Sequence, residues 1–365
     1  MFFRRFLPIL FIIFMFTKNS YAAMRLESNP CASTSIGIDE YFLNPARGYT
    51  LWFDADEAIE MTASLPPANY ETEVLEIGLH EHSKEFLGTQ DPLKIFLAAF
   101  HGNNQKTTSS QACGVIGLLI SDNLCFYQIG SLTHDRQILQ NFIHNIELFA
   151  VQNGAKRAQF NISEKKRELI DLFISCGYVV HGQRPDLYSG GYDYHLYKDL
   201  QVTKQEPIAP NISFTWLARY DECQQKKEVE TFFSGQILAH LDSLISNFHE
   251  TYSVGVFVRN SEGKVVGGCR GSIMLGGATP HLYVNAVWLD KAYRGKKLSP
   301  LFIGFLEDIA RQFHCTKAHL NTADLNCPGL YQKLGYRAEL IAPKFIKEIS
   351  GKYSAEYDFY KDLSS

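Results

Sequence analysis

The sequence has no CxxC pair, and none of its 8 cysteines stands with a histidine at zinc-ligand spacing. No metal centre is therefore expected. Most of these cysteines (Cys31, Cys113, Cys125, Cys176, Cys223, Cys269, Cys315 and Cys327) lie within apolar runs, where a thiol packs as a small hydrophobe. They are read as buried free thiols, although an exported chain could pair some of them. Charge of one sign is also lacking. With 35 Lys and Arg against 39 Asp and Glu, the net charge is −4, which gives no footing for nucleic acid or an anionic membrane. The apolar run Phe6–Phe16 covers 11 residues, too few for a stable membrane span.

That run does fit a secretory leader. Arg4 and Arg5 precede it, and Ser20 and Ala22 are the small residues that come before a cut after Ala22. Residues 1–22 are expected to be a signal peptide, which makes the mature chain periplasmic or secreted. Met24 follows at once, and translation from it would give a cytoplasmic protein instead.

A chain of 365 residues suits two domains. The segment Lys204–Pro210, KQEPIAP, has two prolines within four residues and reads as a linker. It separates residues 24–203 from residues 211–365. The two parts end alike, with Tyr194-His195-Leu196-Tyr197-Lys198-Asp199-Leu200 in one and Tyr357-Asp358-Phe359-Tyr360-Lys361-Asp362-Leu363 in the other. Upstream, Cys176-Gly177-Tyr178 matches Leu334-Gly335-Tyr336, and Ala158-Gln159-Phe160-Asn161 matches Ala318-His319-Leu320-Asn321. Three matches in the same order argue for an internal duplication.

In the second part, strands are expected over Ile212–Ala218, Tyr252–Arg259, Val265–Met274, His281–Leu289, Lys317–Asn321, Tyr336–Ala342 and Glu356–Lys361. Helices are expected over Glu228–Phe248, Leu301–Phe313 and Gly329–Leu334. This alternation predicts an α/β fold, a mixed sheet with helices on its faces.

The chemically informative stretch runs from Trp288 to Pro300. A strand enters a loop holding Arg294, Gly295, Lys296 and Lys297, and a helix follows at once, with Ser299 as its expected N-cap and Pro300 as its first residue. Such a turn aims backbone N–H groups and a helix dipole at one point, where a diphosphate would be stabilised.

Together with its flanking sequence, this stretch resembles the GCN5-related N-acetyltransferases, the GNAT family. Tyr293-Arg294-Gly295-Lys296-Lys297-Leu298-Ser299 stands where that family grips the pyrophosphate of CoA. Cys327-Pro328-Gly329-Leu330-Tyr331-Gln332-Lys333-Leu334-Gly335-Tyr336 is similar to its Ala-Pro-Gly-Phe-Tyr-Glu-Lys-Leu-Gly-Tyr helix. Gly267-Gly268-Cys269-Arg270-Gly271 followed by Leu282-Tyr283-Val284 looks like a compact subgroup of the family. The resemblance covers about 110 residues, Val254 to Leu363. It departs at Lys297, which replaces a loop glycine, and at Ser299, which replaces Gly or Ala. If position 297 needs positive φ, lysine weakens the cradle; if not, it adds a cation near phosphate.

The resemblance implies two GNAT-like domains, each a mixed, mainly antiparallel sheet flanked by helices. It implies acetyl-CoA as cosubstrate, no metal, and an amine-bearing small molecule or protein as acceptor. Arg294, Gly295, Lys296, Lys297, Leu298 and Ser299 would hold the pyrophosphate, and the backbone of Val287 and Leu289 the pantetheine arm. Asn321 would contact that arm or simply cap its strand. Tyr331 falls at the family's general acid, although a core aromatic would also fit there. Asn285 stands where related chains often have an acid, and asparagine takes no proton at neutral pH. A water on Asn285, or His281, could serve as base, with His281 otherwise read as a surface residue.

The first part is expected to be a degenerate copy. Its loop Ser131–Leu139 has no glycine and holds an acid, and its last helix Lys165–Cys176 lacks the tyrosine. Three functions stay open: an N-acetyltransferase, an inactive CoA-binding or interaction protein, and another acyl or aminoacyl transferase of tandem type. Export and the cofactor conflict, because acetyl-CoA is a cytosolic metabolite.

Overall fold

The structure, a computed structural model, describes residues 49–54, 57–87, 93–101, 111–120, 122–131, 136–187, 190–201, 212–217 and 251–364. The expected leader, the expected linker, the helix expected over 228–248, Cys31 and Cys223 lie outside these residues.

The first half contains β3 (Leu93–His101), β4 (Gln111–Ile120), β5 (Asn123–Ser131), α2 (Arg136–Gln152), β6 (Arg157–Ser163), α3 (Arg167–Ser175), β7 (Val179–Pro185) and β8 (Tyr192–Asp199). The second contains β10 (Thr251–Arg259), β11 (Val265–Met274), β12 (His281–Leu289), α4 (Leu298–Gln312), β13 (Lys317–Ala323), α5 (Pro328–Lys333), β14 (Arg337–Lys347) and β15 (Tyr353–Asp362). Before the first half come β1 (Tyr49–Asp54), β2 (Glu57–Ser64) and α1 (Asn69–Leu87), and between the halves comes β9 (Ile212–Leu217). Among the described residues no helix is long and apolar enough to cross a membrane.

Two sheets form, in the orders β7-β8-β6-β5-β4-β3-β9 and β1-β2-β10-β11-β12-β13-β15-β14. Each is mixed and mainly antiparallel. The parallel pairs, β5 with β6 and β12 with β13, each extend over only three residues. This is the expected fold class, repeated in the same element order in both halves.

The allotment of the outer strands differs from the expectation. Strand β9, expected to open the second domain, pairs with β3 in the first sheet. Strands β1 and β2, expected in the first domain, join the second sheet through the pairing of β2 with β10. The physical reason is edge coverage. Strands β3 and β10 would otherwise end their sheets with unpaired N–H and C=O groups, and each is covered by a segment from the other side of the linker.

Helix α4 shows why the second core forms. Leu298, Phe302, Ile303, Leu306, Ile309 and Ala310 follow helical spacing and are buried against β10, β11 and β12. Helix α1 covers the opposite face. Its start is fastened by Glu71, which accepts from the Ala68 N–H at 3.0 Å as half of a capping box and pairs with Arg259 at 2.5 Å. Gly78 lets it sit on the Trp288 indole, where a Cβ would lie 2.0 Å from the ring.

The repeat extends to side chains. Lys198 pairs with Glu147 at 2.6 Å and lies 5.4 Å from the Tyr178 ring centroid. Lys361 pairs with Glu307 at 2.6 Å and lies 5.4 Å from the Tyr336 centroid. Of the thiols, Cys125, Cys269 and Cys315 are buried and Cys176 is half-buried. Cys327 is exposed, because it takes the left-handed turn (φ 55°) that opens α5.

Candidate active site

Strand β12 is irregular at one point. Arg270 pairs with Ala286 and Gly271 with Val284, which leaves Asn285 as the extra residue of a β-bulge. The Asn285 Oδ1 accepts from the Ser272 hydroxyl at 2.9 Å. On the other edge, β12 pairs with β13 only from His281–Lys317 to Tyr283–His319, and the strands part beyond that point. A slot therefore opens beside the bulge. Asn285, Val287 and Leu289 on β12, and Asn321 on β13, lie beyond the last paired residues of the two strands. The Leu289 carbonyl already accepts from Arg294 Nε at 2.9 Å, so this carbonyl and this guanidinium nitrogen hold each other.

After β12 the chain makes a 3₁₀ turn, Lys291–Tyr293, capped by Asp290, which accepts from the Ala292 N–H at 2.9 Å. Gly295 has φ 83°, and a Cβ there would meet nothing within 4 Å. Lys296 lies 5.2 Å from the Tyr293 ring centroid.

The helix starts earlier than expected. Lys297, at φ 59° and ψ 25°, is its N-cap and offers no side-chain cap, so Ser299 and Pro300 fall within the first turn. Fully buried Leu298 explains the shift, because it anchors the first turn in the core. Position 297 does take positive φ, so lysine adopts glycine's backbone there at a cost of about 1–2 kcal/mol. The first turn of α4 then presents its free N–H groups toward the loop. A polyanion fits this cradle, with Lys296 and Lys297 supplying charge.

Tyr331, on α5, packs edge-on to Tyr336 and tilted against Phe359. Burial pushes its phenol pKa up, so the hydroxyl stays protonated. Tyr331 is part of the second half's core. His281 is not the expected surface residue. It is fully buried, its Nδ1 lies 2.7 Å from the Thr279 carbonyl, and burial lowers its pKa. A histidine held neutral and sealed does not exchange protons with an incoming amine.

Asn321, expected at the pantetheine arm or as a cap, joins residues that were not singled out in the sequence, namely Asp358, Glu356 and Arg184. Asn321 is neither a free cofactor contact nor a simple cap: its Nδ2 donates to Asp358 and its Oδ1 accepts from the Tyr283 hydroxyl at 2.9 Å. Asp358 also accepts from Arg184 of the first half at 2.7 Å. Glu356 is buried nearby, and desolvation together with Asp358 pushes its carboxyl up to about 8. A signal for Asp358 does exist, because it breaks the repeated closing sequence where the first half has His195.

Residues 216–336 match the model of the acetyltransferase (GNAT) family. They are a GNAT-family domain. A curated relative, the blasticidin-S acetyltransferase of Streptomyces morookaense, is 31% identical over 98 residues, which are 27% of this chain and 65% of that enzyme. The chain thus spans just under two thirds of that relative's length. Among solved structures, an acetyltransferase from Bacillus cereus ATCC 14579 is 22% identical, with a TM-score of 0.33, over 38% of this chain and 93% of its own. The spermidine N-acetyltransferase from Vibrio cholerae, solved with CoA and spermine, is 14% identical, with a TM-score of 0.27, over 36% and 76%.

Proposed function

We propose that this GNAT domain uses acetyl-CoA to acetylate an amine, and that its active site is the slot between β12 and β13. The observation that carries this reading is the placement of the Asn285 bulge beside the parting strands, one loop upstream of the α4 anion cradle. A bulge frees backbone groups where a thioester carbonyl would need an N–H donor. The cradle suits the diphosphate, with Gly295, Lys296, Lys297, Leu298 and Ser299 around it. Arg294 acts mainly by fixing the loop to Leu289. The nitrogen attacks the thioester carbonyl, the C–S bond breaks, and the sulfur leaves with its electron pair. Tyr331 offers that sulfur a hydrogen bond from a phenol that burial keeps protonated. No carboxylate stands at Asn285, so the acceptor amine must arrive neutral or lose its proton to water.

The repeated series β3 to β8 and β10 to β15 are proposed as tandem copies, with the first degenerate. Phe173 takes the place of Tyr331. Phe126, Phe160 and Phe173, with centroids 5.3–5.9 Å apart, form an aromatic core cluster where the second half has Val284, Leu320 and Tyr331.

Thiol release from acetyl-CoA, measured with blasticidin S, spermidine and peptide N-terminal amines, tests the reading. Tyr331→Phe should lower kcat by roughly 10²-fold and leave acetyl-CoA affinity unchanged. The asparagine at 285 favours a second reading, a CoA-binding protein without turnover. Tight CoA binding with no thiol release by any amine would establish that alternative.

A further inference from the structure

One hydrogen-bonded chain at the slot begins in the other half of the protein. Arg184, on β7, reaches β15, where its Nη1 donates to Asp358 Oδ1 at 2.7 Å, and its Nε lies 3.4 Å from Asp193. The Asp358 side chain is only 4% exposed. It also accepts from Asn321 Nδ2, and the Asn321 Oδ1 accepts from Tyr283 at 2.9 Å. The direction of this chain is imposed. Arginine can only donate and an ionised carboxylate can only accept. The amide must therefore turn its nitrogen to Asp358 and its oxygen to the phenol. An asparagine without such neighbours would have no fixed orientation.

The location matters as much as the direction. Tyr283 and His319 form the last backbone pair before β12 and β13 part, and Asn321 lies two residues further along β13. The phenol–amide bond is thus a side-chain link across the slot beyond the end of the ladder, two residues before the Asn285 bulge.

The repeat shows what is special to this half. In the first half, Cys125, Asn161 and His195 occupy the corresponding places, with His195 Nδ1 2.8 Å from Asn161 Oδ1. Arg184 pairs with Asp193 across β7 and β8, and its counterpart, which pairs with Glu356 across β14 and β15, is Ala342. The first half therefore lends an arginine to the second, and the second returns none.

We propose that Arg184 is a positioning residue of the active site in the opposite half. Through Asp358 and Asn321 it holds the Tyr283 hydroxyl in one hydrogen-bond direction and so sets the slot width at which the thioester meets the amine. This inference rests on the acetyltransferase reading of the slot. It gives the first half a working role that a degenerate copy otherwise lacks.

The test is a double-mutant cycle on the full-length protein, with a readout that does not need turnover. Arg184→Met and Tyr283→Phe should each lower kcat by roughly 10- to 100-fold, the scale expected when reacting groups are displaced by about 1 Å. The double variant should be no worse than the poorer single variant. Arg184→Lys keeps a charge in the buried pair and covers the case in which Arg184→Met fails to fold. It should show a smaller loss with the same non-additivity. In parallel, the [13Cζ]tyrosine resonance that disappears in Tyr283→Phe should shift in the Arg184 variants and stay put in Arg311→Met. Losses that multiply in the double variant, or an unmoved resonance, would overturn the relay. If the wild-type protein acetylates no amine, the acetyltransferase reading fails on its own account, and the resonance still decides whether Arg184 governs Tyr283.

Discussion

Lys297 shows how one residue can work against the conformation it must hold. The α4 cradle needs a left-handed residue, and lysine supplies the charge while bearing the strain of φ 59°. Lys297→Gly should therefore stabilise the fold by up to about 1 kcal/mol, the relieved strain less the extra freedom of glycine in the unfolded chain. Lys297→Val, stiff at χ1 and poorly suited to positive φ, should destabilise it. Chemical denaturation of the two variants checks both signs. Position 297 was legible in the sequence as a departure from the family pattern. Its φ was not, because the same residues could have turned without left-handed geometry.

Elements meet here by close approach as well as by apolar area. Helix α1 rests on β11 and β12 through Gly78 and through the pair Arg270–Glu76 at 3.4 Å. A methyl group at 78 would fall inside the Trp288 ring. Gly78→Ala should thus push the helix off the sheet and cost about 1–3 kcal/mol by overpacking, although alanine is the better helix former. The expected signs are a lower unfolding midpoint and a changed Trp288 environment in near-ultraviolet dichroism. Strand and helix positions in the second half were largely readable from periodicity. Strands Val265–Met274 and His281–Leu289 have the expected bounds, and α4 begins three residues before its expected start. That start was missed because Ser299 and Pro300 imitate a cap, whereas buried Leu298 decides where the first turn begins.

Across the whole molecule, the interface between the halves stores buried charge. Glu356 has its carboxyl raised to about 8 from an ordinary 4.5, with desolvation the largest cause and Asp358 the next, so this value belongs to the pair. The folded state then holds a proton that the unfolded chain has already released. Stability should fall as pH rises from the unfolded value through the folded one. Between about pH 7.5 and 8 this group alone should give a slope of roughly 0.7–1 kcal/mol per unit. Burial lowers the pKa values of His195, His281 and His319, so the unfolded chain takes up protons on them near pH 6.5 and they oppose the trend there; the Glu356 slope is therefore read above about pH 7.5. Glu356→Gln should flatten the profile and raise the unfolding midpoint at pH 8. An unchanged slope in that variant would place the proton elsewhere.

The sequence by itself determined the α/β class, the repeated closing motifs, the strand–loop–helix cradle and the tyrosine helix, because each is a local pattern of residue type and spacing. Only the tertiary structure decided which sheet β1, β2 and β9 enter, that His281 is sealed, and that Arg184 faces Asp358. The strand placements and the Arg184–Asp358 pair depend on contacts between residues more than 100 positions apart, and the sealing of His281 on packing against His319, 38 positions away; neither periodicity nor motif spacing carries that information. The duplicated architecture makes the point sharply. Segments that share short motifs fold into the same element order, and Tyr283 and Asp358, where the first half has Cys125 and His195, are among the residues in which they differ.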